Sequence, residues 1–64
     1  MYEIKIVIKY GELTNLVNWC KKNCTKNWNW KENDYMKDTN LAYYTFLFET
    51  EKDYFAFKLW KVND

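Results

Sequence analysis

The sequence predicts a small α+β domain in the order β-α-β-β-α, with an antiparallel-rich three-stranded sheet and both helices on one face. Three observations predict it. Tyr2–Tyr10 and Leu41–Glu49 alternate with period two, as half-buried strands do. Leu13, Leu16, Val17, Cys20 and Cys24 recur at spacings of three and four, which lays one apolar stripe along a helix. Thr50-Glu51-Lys52-Asp53 has the form of a capping box, in which Thr50 and the carboxylate three residues on satisfy exposed backbone donors. The alternative is β-α-β-β with a C-terminal hairpin around Glu51-Lys52, because Tyr54–Trp60 also alternates and is rich in β-forming aromatics.

In the first strand, Tyr2, Ile4, Ile6 and Ile8 share one side and Glu3, Lys5, Val7 and Lys9 the other. Gly11, the only glycine, is read as permitting the turn that follows. The helix is expected over Glu12–Cys24, capped by Thr14 or Asn15 if its first turn starts late. Lys21, Lys22 and Lys26 stand near its C-terminal end, where the helix dipole favours cations, and Trp19 falls to the rim of the stripe. Trp28 and Trp30 share one side of a short strand, and the polar run Lys31–Asn40 reads as a hairpin loop. Leu41–Glu49 is apolar on both sides and so is expected at the centre of the sheet. As a helix, the last segment presents Phe55, Ala56, Leu59 and Val62 as its stripe, which assigns Phe55 and Leu59 to the core beside Phe46 and Phe48. The first crossover is expected to be right-handed if its strands are parallel neighbours.

Sixty-four residues make a single domain, residues 1–64, with no room for a second core. Four Trp, six Tyr and four Phe are more ring surface than so small a core readily hides, so part of it is expected against a partner, first of all a second copy. More than half of these rings lie in Tyr43–Trp60. The formal net charge of +1 does not describe a general phosphate-binding surface. The absence of His removes the commonest acid–base residue, and Arg is also absent. The N-terminus runs straight into a strand pattern rather than a signal peptide, and no stretch approaches the ~20 apolar residues of a membrane span. The expectation is a protein of the reducing cytoplasm with no membrane partner.

Tyr44-Thr45-Phe46-Leu47-Phe48-Glu49, then Asp53, then Phe57-Lys58-Leu59-x-Trp60, together with Trp19-Cys20 and the tryptophan pair, resembles a group of small, mostly uncharacterised accessory proteins of tailed bacteriophages. The group shares an F-x-F-E strand, an acidic turn and a closing F-K-L-x-W, over about half of the chain. Where it often has Ala after the Asp, this sequence has Tyr54. The resemblance implies a phage accessory role in the host cytoplasm and no chemistry.

Of the candidate sites, Cys20 and Cys24 lack the further ligands a zinc ion needs, and two small residues on a core stripe explain them better than a metal, redox or cofactor role. Glu49, Glu51 and Asp53 are read as a solvated turn with helix-start charges. Neither a catalytic residue nor a cofactor or metal is expected, and the chain is read as no enzyme. Val7, Trp28, Trp30, Tyr43 and Leu47 are the expected partner-binding or dimer-interface residues, on the sheet face that the helices leave open. The function favoured is a homodimeric phage accessory protein that binds, and thereby inhibits, a host defence or takeover protein. The alternative is single-stranded nucleic acid or a nucleotide stacked on Trp28, Trp30 and Tyr43, with Lys5 and Lys9 beside them.

Overall fold

The computed structural model describes residues 1–63, with side chains through Lys61. Its order is β1 (Tyr2–Lys9), a 3₁₀ turn (Tyr10–Glu12), α1 (Leu13–Asn23), β2 (Trp28–Met36), β3 (Leu41–Phe48) and α2 (Glu51–Asn63). The expected α+β architecture holds, and the hairpin alternative for the last segment does not. β3 is central: the sheet order is β1-β3-β2, and both pairings are antiparallel. β1 and β2 are therefore parallel to each other but separated by β3, so the crossover through α1 does not join neighbours.

Period two on β3 produces the two faces. Ala42, Tyr44, Phe46 and Phe48 are all buried on the helix side, opposite Ile8, Ile6, Ile4 and Tyr2 of β1. Leu16 and Cys20 of α1 and Phe57 of α2 complete this core. The phenyl ring of Phe57 lies 5.0 Å from Phe46 and 5.1 Å from Phe48, centroid to centroid. Trp19 stacks on Trp60 at 5.1 Å and meets Phe57 edge-on, which ties the two helices together. The rim position read for Trp19 is thus filled by an inter-helix stack.

Four local expectations are corrected. Gly11 has no positive φ; the exit from β1 is a 3₁₀ turn that any residue can adopt, and a Cβ at Gly11 would meet nothing within 4 Å. That turn runs directly into α1, so Thr14 and Asn15 lie inside the helix and no side chain caps its start. Lys31–Met36 is strand rather than loop, and only 37–40 form the turn. β2 is an edge strand with both faces of this part exposed, so polar side chains cost it nothing, and the backbone ladder to β3 supplies the order. The turn closes through Asn40, whose φ of 57° is the left-handed region that Asn tolerates.

The fourth correction concerns α2. Its buried side is Asp53 and Phe57, with Tyr54, Trp60 and Lys61 half-buried; Phe55 and Leu59 are 48% and 64% exposed, and Ala56 is also exposed. The side chain of Val62, assigned to the same stripe, lies outside the described residues. Apolar spacing alone allowed either rotation of this helix, because Phe57 and Trp60 also fall on one side of it. Asp53 decides the rotation. Its carboxylate, 2% exposed, accepts the N–H of Thr25 at 3.0 Å, the N–H of Lys26 at 3.1 Å and the Thr25 hydroxyl at 3.1 Å. The backbone N–H of Asp53 donates to Thr50 Oγ1 at 3.2 Å, the forward half of the capping box. The return half is replaced by the connection between α1 and β2. Burial pushes the Asp53 carboxyl up, but the donors from Thr25, Lys26 and Thr50 outweigh it and hold the carboxyl below its ordinary value.

Candidate interaction site

The face away from the helices is built from the odd-numbered residues of β1 and β3. Glu3, Lys5, Val7 and Lys9 stand opposite Leu47, Thr45, Tyr43 and Leu41, and Asn29 and Lys31 of β2 continue the rows from Leu47 and Thr45. After Lys31 the register shifts: an extra residue between Glu32 and Asp34 sets Asp34 opposite Tyr43 and Met36 opposite Leu41. The bulge carries Asn33 over the open face, where its amide donates to Thr45 Oγ1 at 2.6 Å. Thr45 is buried on the otherwise open face, flanked by Lys5 and Lys31.

Beside that bridge is a groove of about 380 Å³, lined chiefly by Lys5, Val7, Asn33, Asp34, Met36 and Tyr43. Its floor is the half-buried ring of Tyr43, whose hydroxyl donates to Met36 Sδ at 3.3 Å. Val7, 52% exposed, forms the β1 wall with Lys5, and Asp34 and Met36 form the β2 wall. An apolar floor between an ammonium group and a carboxylate suits one or two apolar side chains of a peptide, with its polar backbone between the charged walls. The volume is at the small end for a ligand site, which ranges over roughly 300–1,000 Å³.

The five residues expected together are divided by the sheet. Val7 and Tyr43 line the groove, and Leu47 is half-buried farther along the same face. Trp28 and Trp30 are on the helix side: they pair with Phe48 and Phe46, pack against the core, and Trp30 meets Tyr44 edge-on at 5.9 Å. The reason is register. Even residues of β2 before the bulge stand opposite even residues of β3, and those are the core residues. Met36, Asn33 and Asp34 were missed because their run is polar and the bulge that turns them onto the groove leaves no mark in a hydrophobic pattern.

The cysteines stand at the end of α1, Cys20 buried and Cys24 half-buried, and the Cys24 N–H caps the Cys20 carbonyl at 3.0 Å. Burial first, then the neighbouring Cys24 and Asp53, pushes the Cys20 thiol far above its ordinary value. Burial and the Asp53 charge also raise Cys24, partly offset by a hydrogen bond with Cys20. A protonated thiol is a poor nucleophile, and both side chains pack in or against the core, Cys20 within it and Cys24 beside it. Burial likewise raises the Tyr44 phenol, with Glu32 and Tyr10 adding to the effect. Among the described residues no cluster of His, Cys, Asp or Glu has metal-site geometry, and no helix is long and apolar enough to cross a membrane. Compared with known proteins, the chain matches no family model, no curated protein and no solved structure.

Proposed function

We propose that this chain is a non-enzymatic binding module of the phage accessory kind, which seats an apolar segment of a host protein on the open face of its sheet and inhibits that protein by occupying its surface. The observation that carries the reading is the groove itself. Tyr43, Val7 and Met36 offer an apolar seat between Lys5 and Asp34, on a face that no helix among the described residues covers. Tyr gives large contact area at low entropic cost, and mixed charge at the rim favours a protein segment over a polyanion. The resemblance of the C-terminal motif to phage accessory proteins supports a host target in the cytoplasm. The nucleic-acid reading is weaker, because Trp28 and Trp30 belong to the helix side and, of the three rings expected to stack, Tyr43 alone stays on the open face.

The test is capture from host lysate by the tagged chain against its Tyr43→Asp and Leu47→Asp variants, each checked for folding by circular dichroism. The expected result is a defined protein held by the parent chain and lost with Tyr43→Asp, with amide shifts at Val7, Met36 and Tyr43 when the purified partner is titrated in. Capture indifferent to both variants refutes the groove. Salt-sensitive binding of a single strand that Tyr43→Asp abolishes transfers the site to nucleic acid.

A further inference from the structure

The two edges of the sheet are treated differently by the sequence. Tyr10 donates its N–H to the Asn40 carbonyl at 3.1 Å, which makes Tyr10 and Asn40 a hydrogen-bonded pair in the β1–β3 register. Stepping by two, Ile8, Ile6, Ile4 and Tyr2 also direct their backbone groups to β3. The N–H and C=O groups of Glu3, Lys5, Val7 and Lys9 then point outward. On β2 the same alternation starts from Glu49 N–H donating to the Asn27 carbonyl at 3.0 Å, and it turns the N–H groups of Trp28, Trp30, Glu32 and Tyr35 outward. Those of Trp30 and Tyr35 are taken by the preceding side chain, Asn29 Oδ1 and Asp34 Oδ1, each at 2.8 Å. With its bulge, β2 is a protected edge. β1 is eight residues long, without bulge or proline, and among the described residues no side chain accepts from its outward donors.

Its apolar side is also left incomplete. Of the three isoleucines facing the helices only Ile8 is buried; Ile4 and Ile6 are half-exposed. We propose that β1 pairs with the β1 strand of a second copy, antiparallel about a two-fold axis at Ile6, to make one continuous six-stranded sheet. In that register Glu3 stands opposite the partner's Lys9, and Lys9 opposite the partner's Glu3. Lys5 stands opposite the partner's Val7, Ile4 opposite the partner's Ile8, and the two Ile6 side chains meet on the axis. Tyr2 stands opposite the partner's Tyr10. All four outward residues of each copy gain backbone partners, and the ion pair occurs twice.

The neighbouring registers are worse. A shift of two residues sets Lys5 opposite Lys5 in one direction, or Lys5 opposite Lys9 twice in the other, and like charges directly opposite destabilise a ladder. A shift of one residue mismatches the backbone and turns the isoleucines to the wrong face. Charge and apolar pattern thus select the same pairing. Because the axis is perpendicular to the sheet, the helices of both copies share one side and the two grooves share the other. Lys5 and Val7 form the ridge between the grooves.

The proposal goes beyond the groove reading and does not depend on it. Sedimentation velocity on the full chain is expected to give about twice the 8.0 kDa of one copy. Glu3→Lys alone or Lys9→Glu alone replaces two attractive pairs by two repulsive ones and is expected to raise the dimer dissociation constant about tenfold or more. The double variant Glu3→Lys/Lys9→Glu recreates the pairs with exchanged signs and is expected to restore the parent value to within about threefold. Val7→Pro removes only an outward-facing donor and is also expected to weaken the dimer. Tyr43→Asp, on the groove floor, is expected to leave it intact. A parent chain that is monomeric through the micromolar range overturns the proposal. So does a dimer indifferent to the single changes, or one that the double change fails to restore.

Discussion

Replacing Asp53 tests how much one carboxylate contributes to this fold. The group is 2% exposed and accepts two backbone N–H donors and the Thr25 hydroxyl, at 3.0–3.1 Å. Hydrogen bonds to a charged group contribute roughly 1.5–3 kcal/mol each. Thr25 and Lys26 are exposed residues whose donors water can reach after the change, so the lower figure applies and the hydroxyl can rotate to solvent. Two backbone bonds at the low end give about 3 kcal/mol for Asp53→Ala. A 64-residue domain is stable by only about 3–10 kcal/mol, so this variant sits near the edge of folding. Asp53→Asn keeps the shape and one acceptor but turns an NH₂ toward donors, with an expected loss of about 2 kcal/mol. The assay is urea unfolding followed by tryptophan fluorescence, at neutral pH and along an acid series. The native carboxyl is held low, so its stabilisation is complete above the unfolded value of about 3.9 and is lost as pH falls through the lower native value. Parent and Asp53→Asn stabilities should therefore converge on acidification. A loss under about 1 kcal/mol at neutral pH, or a gap that does not close in acid, refutes the anchoring role.

Three further outcomes follow from the packing. Phe57→Ala empties a fully buried site between Phe46, Phe48 and the two stacked indoles and should cost about 3–5 kcal/mol, whereas Phe55→Ala and Leu59→Ala should stay within about 0.5 kcal/mol in chemical denaturation. Gly11→Ala enters open space without positive φ and should be neutral or stabilising by up to about 1 kcal/mol in thermal melts. In native protein at neutral pH, Cys20 should resist iodoacetamide until the chain unfolds, and Cys24 should react more slowly than a free thiol, as read by mass spectrometry.

Most of the architecture was legible because period two and spacing of three to four are large signals. Tyr2–Lys9 and Leu41–Phe48 are strands, the latter central, and Leu13–Asn23 is a helix, each near its expected bounds. Thr50 announced α2 despite strand-like aromatics, since a capping hydroxyl acts locally, here on the Asp53 N–H. What escaped was set by distant partners. The rotation of α2 depends on Thr25 and Lys26, far off in sequence, so Phe55 and Leu59 looked as suitable for burial as Phe57. The extent of β2 depends on the ladder offered by β3, since Lys31–Met36 has little strand character of its own. Trp28 and Trp30 were placed on the wrong face for the same reason: alternation groups residues but does not say which group meets the core. Val7, Tyr43 and Leu47 do stand on the expected face, because the strongly patterned strands β1 and β3 fix them there.

That the central strand is also the last one has a bearing on biosynthesis. β2 can zip onto β3 across the short turn 37–40, but β1 has no strand to join until residues 41–48 have been made. During synthesis Ile4, Ile6 and Ile8 wait without their strand partner until residues 41–48 have been made. Closing β1 onto β3 joins residues some forty positions apart and carries the larger loop entropy, so it should limit the folding rate. Conservative changes such as Ile6→Val should then act mainly on unfolding if that closure comes after the transition state, and on folding if it is the barrier itself. A nascent chain arrested before Leu41 has no centre for its sheet, because both outer strands pair only with β3.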